Sequence, residues 1–254
     1  MTEGSDDVGE VWNAIHASLT KPRKAHKGGK LWVSGIGSCA RAVALSLLGA
    51  EAEQPSLESL LIMRGGIAWE SQTARELIEV YGDDVTTQLR LSDENWSGYA
   101  DMTLFHKSKK ASPVIIEHKA QGPKSSFGKP QVPHLLQVAL YGWLYEKEFG
   151  VAPRLKLFYR KWGEWAEYDV GVFPEVMQVS GACMGKPWFE QIEISLDERR
   201  EYMEMLRNTG NMPPYEQTRG CRWCPYADPC SSAWNEDDET ASVMRALEKA
   251  ALPR

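Results

Sequence analysis

The stretch PVIIEHK, residues 113–119, constrains this chain more than any other. Its apolar run reads as a buried strand, yet it ends in two charged side chains. Strand side chains alternate with period two, so Glu117 and Lys119 share a face. Charge beside a buried sheet is costly and persists where it is paired or binds a metal ion. Asp101 lies sixteen residues upstream in SGYADMTLF, which reads as the preceding strand, and a hairpin between the two would set Asp101 opposite Glu117. Facing carboxylates repel unless a cation joins them. Oxygen ligands suit Mg²⁺ or Mn²⁺, and a lysine beside such an ion can orient or deprotonate water and counter charge growing on a phosphoryl group. A structural Asp–Lys–Glu ion network would show the same spacing.

The surroundings predict an α/β sandwich around a mixed central sheet. Helical spacing of apolar residues marks Ser38 to Leu48 and Gly66 to Tyr81, with the glycine pairs at 28–29 and 65–66 as punctuation before ordered elements. Val85 to Leu91, Ser97 to Phe105 and Pro113 to Lys119 read as an antiparallel meander, and Arg154 to Tyr159 and Glu164 to Val170 as further strands. Between them Val132 to Phe149 is apolar nearly all round, as expected of a helix packed on a sheet. Gln137 and Tyr141 lie four apart on that helix and project from one face.

Asp101, then Glu117-His118-Lys119, then Gln137 and Tyr141 on the next helix resembles the RecB-like subset of the PD-(D/E)XK nucleases. The resemblance implies a restriction-endonuclease-like core, phosphodiester hydrolysis, and a divalent ion held by Asp101, Glu117 and the backbone carbonyl of His118. Members commonly carry Gly-x-x-His-Glu in an upstream helix. Here that stretch is Gly66-Ile67-Ala68-Trp69-Glu70, with Trp69 in place of the histidine. Either Glu70 supplies the extra ligand, or the site works with fewer protein groups and Glu70 is an ordinary helix residue.

Cys221, Cys224 and Cys230 pack three thiols into ten residues, a density that points to a metal site. Zinc and iron-sulfur clusters usually take four ligands, so a distant fourth is expected, and Cys39 and Cys183 are the candidates. One early cysteine plus a late Cys-x-x-Cys-x5-Cys resembles the iron-sulfur nucleases of this group, including the CRISPR-associated Cas-four family. That likeness implies a 4Fe-4S cluster on Cys39, Cys221, Cys224 and Cys230, clamping the N- and C-terminal segments together. Zinc is the alternative metal, and Cys183 is then an isolated buried thiol.

The chain has 254 residues, enough for one elaborated domain, read here as 31–234 between a polar basic arm at 1–30 and an acidic tail at 235–254. The net charge of -6 does not suggest a nonspecific polyanion binder. Lysines and arginines do cluster at 21–30 and at Lys107, Lys109, Lys110, Lys124 and Lys129 around the acid pair, as phosphate-binding or plain solvated surface. No apolar run reaches the ~20 residues of a membrane span, and the start is acidic rather than signal-like, so a cytoplasmic protein is expected. A P-loop is missing, so helicase activity would have to come from a partner. The resemblance implies an exonuclease acting on DNA ends or single strands, often 5′ to 3′, in recombination, repair, phage DNA processing or CRISPR adaptation with matching protein partners. A noncatalytic DNA-binding or assembly subunit and an iron-sulfur electron carrier are the competing classes.

Overall fold

The computed structural model describes residues 29–105, 112–122, 130–170, 177–179, 182–184, 186–209, 221, 224–227 and 230, with backbone alone between 177 and 195. The expected tail, nearly all of the expected arm, the lysines flanking the acid pair and the Cys183 side chain lie outside what is described.

Among the described residues eight strands form one mixed sheet. They are β1 (Leu31–Trp32), β2 (Val85–Ser92), β3 (Trp96–Leu104), β4 (Val114–Ala120), β5 (Arg154–Lys161), β6 (Glu164–Val170), β7 (Met177–Val179) and β8 (Ala182–Met184). The meander is present: β2 and β3 pair antiparallel, as do β3 and β4, with Met102 opposite Ile116. β4 and β5 then run parallel with Glu117 opposite Leu157. Parallel neighbours need a crossover, which the helix α3 (Val132–Phe149) supplies. The outer strands β5 to β8 return to antiparallel pairing.

Pro133 stands in the first turn of α3, where its missing N–H costs nothing, and Gly150 ends the helix at φ 69° with its N–H on the Glu146 carbonyl. Leu135, Leu136, Val138, Ala139, Leu140 and Leu144 are all buried and form the core with Ile115, Leu155, Leu157 and Tyr159 of the sheet. Gly98 on β3 lets the layers approach: a Cβ there would meet Val33 at 2.8 Å and the Tyr141 ring at 2.9 Å. No helix among the described residues is long and apolar enough to cross a membrane.

Three helices complete the layers: α1 (Ala40–Leu47), α2 (Leu57–Tyr81) and α4 (Lys186–Thr209). The sequence places the start of α2 at Gly66, but the helix begins nine residues earlier. Ser56 caps it by accepting the Ser59 N–H at 3.2 Å, and the Gly65-Gly66 pair sits inside it. Gly66 passes close to the end of β4, where an added Cβ would lie 3.7 Å from Ala120. Helix α4 has no counterpart among the sequence expectations. Leu196, Met203 and Leu206 bury its inner face, while Arg199 donates to the carbonyls of Ile36 (2.9 Å) and Ser38, and Arg207 to that of Gly29 (2.6 Å). Lys30, read as part of the basic arm, donates to the Asp93 carbonyl.

Candidate active site

The acid–lysine pair sits where β3 and β4 part. Pairing between these strands runs from Leu104–Val114 to Met102–Ile116 and stops. One step further Asp101 and Glu117 would face each other. Instead of continuing the ladder, Asp101 Oδ2 accepts the backbone N–H of His118 at 2.8 Å. Burial drives the Asp101 carboxyl well above its ordinary range, and the nearby charges of Glu117 and Glu70 push the same way.

Glu117 is 1% exposed. Its Oε1 accepts from Lys119 Nζ at 2.7 Å and from Gln137 Nε2 at 2.7 Å, while Gln137 Oε1 accepts from the same Lys119 Nζ at 2.9 Å. The three side chains close a triangle between strand and helix, so Glu117 and Lys119 share a face of β4, the one turned toward α3. Glu117 Oε2 is buried and accepts no hydrogen bond. Burial raises the Glu117 carboxyl despite the Lys119 charge beside it. Orphaned carboxylate oxygens are expensive in a protein interior, so Oε2 is the atom in this site most in need of a partner.

Tyr141, one turn beyond Gln137, donates to the Tyr99 carbonyl at 2.8 Å and ties α3 to β3. Burial first, and then the charges of Glu117 and Asp101, drive its phenol far up, so it stays protonated. His118 points to the opposite face of β4, where its ring lies 5.8 Å from that of Phe158. Burial lowers its pKa to about 4, aided by the charges of Arg160 and Lys119, so it is neutral at neutral pH. Phe158 in turn stacks on Trp165, and Trp162 meets Trp69 edge to face. Trp69, Phe158 and Trp165 line a groove of about 400 Å³ with Arg160 and Lys161.

Helix α2 brings Glu70 to the acid pair. Its charge acts on Asp101 and Glu117, and Lys119 acts on it in turn. Gln88 Nε2 of β2 donates to Glu70 Oε1 at 2.7 Å. Sequence reading did not single out Gln88, and VTTQLRLS carries no local signal that could have done so. All the catalytic-type residues expected from the sequence are thus neighbours. Among the described residues, however, no three His, Cys, Asp or Glu side chains already stand at the spacing of a metal cage.

None of the four expected cysteines is in a disulfide, and among the described residues they do not stand at the spacing of a metal site. Cys39 precedes α1 and its carbonyl accepts the Val43 N–H at 3.1 Å. Cys224 N–H bonds to the Cys221 carbonyl at 3.1 Å, Cys230 N–H to that of Tyr226 at 2.9 Å, and Glu53 N–H to that of Pro225 at 2.6 Å. The last bond ties the early chain to the late. Burial raises the Cys230 thiol, which is within electrostatic reach of Cys224 and Cys39 and hydrogen-bonded to Arg41.

A mixed sheet thus delivers two acids and a lysine to the point where adjacent strands part, under a helix that braces them. The chain belongs to the PD-(D/E)XK nuclease superfamily, whose family model matches residues 38–231. Among solved structures it is similar to SSO0001 at 15% identity and TM-score 0.47, over 89% of this chain and 96% of that one. It is also similar to a candidate exonuclease from Eubacterium rectale at 12% identity and TM-score 0.45, over 87% of this chain and 93% of that one. No curated protein matches it significantly.

Proposed function

We propose that this chain is a Mg²⁺- or Mn²⁺-dependent DNA exonuclease of the RecB-like, Cas-four-like type. On this reading it prefers single strands and runs 5′ to 3′, in recombination, repair, phage DNA processing or CRISPR adaptation. The observation that carries the reading is Glu117 Oε2, a buried carboxylate oxygen without a hydrogen bond, beside Asp101 and within reach of Glu70. These are hard oxygen donors, and they fit a hard divalent ion that keeps several waters and shares a substrate phosphate.

Asp101, Glu117 and Glu70 would hold that ion together with the His118 carbonyl, and it would supply Lewis acidity and a more acidic bound water. The chain's own groups do the rest. Lys119 Nζ, fixed by Glu117 and Gln137, orients the attacking water and offsets charge that builds on the phosphoryl oxygens. Gln137 keeps that ammonium from swinging away. Tyr141 braces β3, and with it Asp101, against α3. The side chains of Trp162 and Trp165, 82% and 65% exposed, offer rings on which unpaired bases can stack.

Cys39, Cys221, Cys224 and Cys230 form, on this proposal, a 4Fe-4S site that clamps the ends of the nuclease domain. The donor set is thiol throughout, and Cys230 lies within electrostatic reach of Cys224 and Cys39, which suits a soft metal centre. The test is cleavage of 5′- and 3′-labelled single- and double-stranded DNA by anaerobically purified protein with Mg²⁺ or Mn²⁺. Metal-dependent products that vanish in Asp101→Ala support the reading. Equal cleavage by the variant, or none by either, leaves a noncatalytic DNA-binding role.

A further inference from the structure

We propose that Gln88 is a positioning residue of this site, bent out of its strand in order to hold Glu70 against Asp101 and Glu117. The proposal rests on the reading of these three acids as a divalent-cation site.

Among the described residues Gln88 is the one non-glycine with positive φ, at 53°. That left-handed conformation crowds an L side chain and is rare in mid-strand. It falls in the middle of β2, a strand whose neighbouring residues are regular: Thr87 pairs with Met102 and Leu89 with Ala100. The same register would set Gln88 opposite Asp101, and that is the pair the ladder omits. The break in β2 therefore lies directly across from the acid at which β3 also leaves its ladder with β4.

The distortion places the Gln88 amide on Glu70 Oε1, at 2.7 Å. Gln88 is exposed, and a hydrogen bond in contact with water returns little stability, so it does not offset the strain and the lost ladder pairing. Strain that stability does not repay and that faces a cluster of acids marks a functional constraint. Chemically, the amide restrains one Glu70 oxygen without adding charge. Glu70 lies on a long helix, and its neighbours Asp101 and Glu117 repel it. Without a tether it would turn to solvent. Gln88 supplies the tether and leaves the second oxygen for the cation.

The test uses the full chain and isothermal titration with Mn²⁺, with Asp101→Ala to define the site. Gln88→Gly removes the amide and also relieves the strain, because glycine accepts positive φ freely. The expected result is Mn²⁺ affinity lowered about tenfold, with a melting temperature equal to or above that of the wild type. In a Glu70→Gln background the same substitution should lower affinity no further. A residue with only a structural role would lower the melting temperature and leave Mn²⁺ binding alone. Unchanged affinity in Gln88→Gly, or the same loss in the Glu70→Gln background, overturns the proposal while the wild type still binds and cleaves. If the wild type shows no Asp101-dependent Mn²⁺ binding and no cleavage, the nuclease reading itself fails, and this inference with it.

Discussion

Replacing Gln137 by methionine removes its bonds to Glu117 and Lys119 while keeping nearly the same length and volume, so that lost bonding is separated from cavity formation. Gln137 donates to Glu117 Oε1 and accepts from Lys119 Nζ. Each bond involves a charged partner and contributes about 1.5–3 kcal/mol. The Lys119 side chain is 22% exposed, so water can replace its lost acceptor. Glu117 has no such access, and the net loss is one bond's contribution, about 1.5–3 kcal/mol, or about 3–12 °C in melting temperature for a chain of this size. Catalysis should suffer more. With Lys119 held by Glu117 alone, its ammonium loses one of two restraints, and support of this kind is typically worth about 10–100-fold in activity. That corresponds to about 1.4–2.7 kcal/mol of transition-state stabilisation. Gln137 is 7% exposed and placed behind the acids, so kcat should fall with KM unchanged. Steady-state cleavage of a 5′-labelled single strand, alongside a thermal melt, measures both. A variant that melts lower but keeps kcat within about twofold of the wild type would show that the triangle is structural only. A rise in KM at constant kcat would show that Gln137 touches the strand.

Asp101→Ala and Lys119→Ala should each abolish metal-dependent cleavage while circular dichroism stays that of the wild type, and residual turnover in either would remove that residue from the chemistry. Cys224→Ala should lose bound iron, visible absorption and solubility together, and unchanged iron content and melting temperature would sink the clamp. Acid stability should depend on Asp93. Burial pushes its carboxyl up, but bonds from Lys147 and from the Trp96 and Asn95 N–H groups outweigh that and hold it below the ordinary range. A depressed carboxylate stabilises the fold above its unfolded pKa near 3.8 and loses that contribution as pH falls through the folded value. Asp93→Asn should therefore melt lower than the wild type at pH 7, with the gap closing below about pH 4. A gap that persists into stronger acid would contradict the assignment.

Much of this was legible locally. Glu117 and Lys119 had to share a face because a strand alternates, and α3 had to pack on the sheet because its apolar positions leave no polar side. β6 has the bounds its sequence suggests. Legibility fails where long-range contacts decide. The Gly65-Gly66 pair reads as a break, yet α2 runs through it, capped at Ser56 by a hydroxyl ahead of an otherwise unremarkable Leu-Glu-Ser. Helix α4 is rich in charge and forms against partners far away in sequence, among them the Ile36 carbonyl and the Trp143 ring that Arg200 covers at 3.8 Å. The two residues of β1 pair with β3 and give no periodicity to read. Glu70 could be nominated, but its closeness to Asp101 follows from where α2 crosses β4. Nothing in the Thr-Thr-Gln-Leu run warns that Gln88 leaves the strand conformation.

The contacts of Arg199 and Arg207 with the backbone at Gly29, Ile36 and Ser38, and of Glu53 with Pro225, join residues 29–53 to partners made about 160 to 180 residues later. During synthesis the strands and α3 can assemble as they emerge. Cys39 and α1 must wait, because their partners are still unmade. Pairings of such sequence separation form slowly, and although Leu31 and Val33 are covered by β3 and α3, the carbonyls of Ile36 and Ser38 stay without Arg199 for that interval. A group held jointly by Cys39 and the later cysteines, if they bind one, could be loaded only once residues 221–230 had been made.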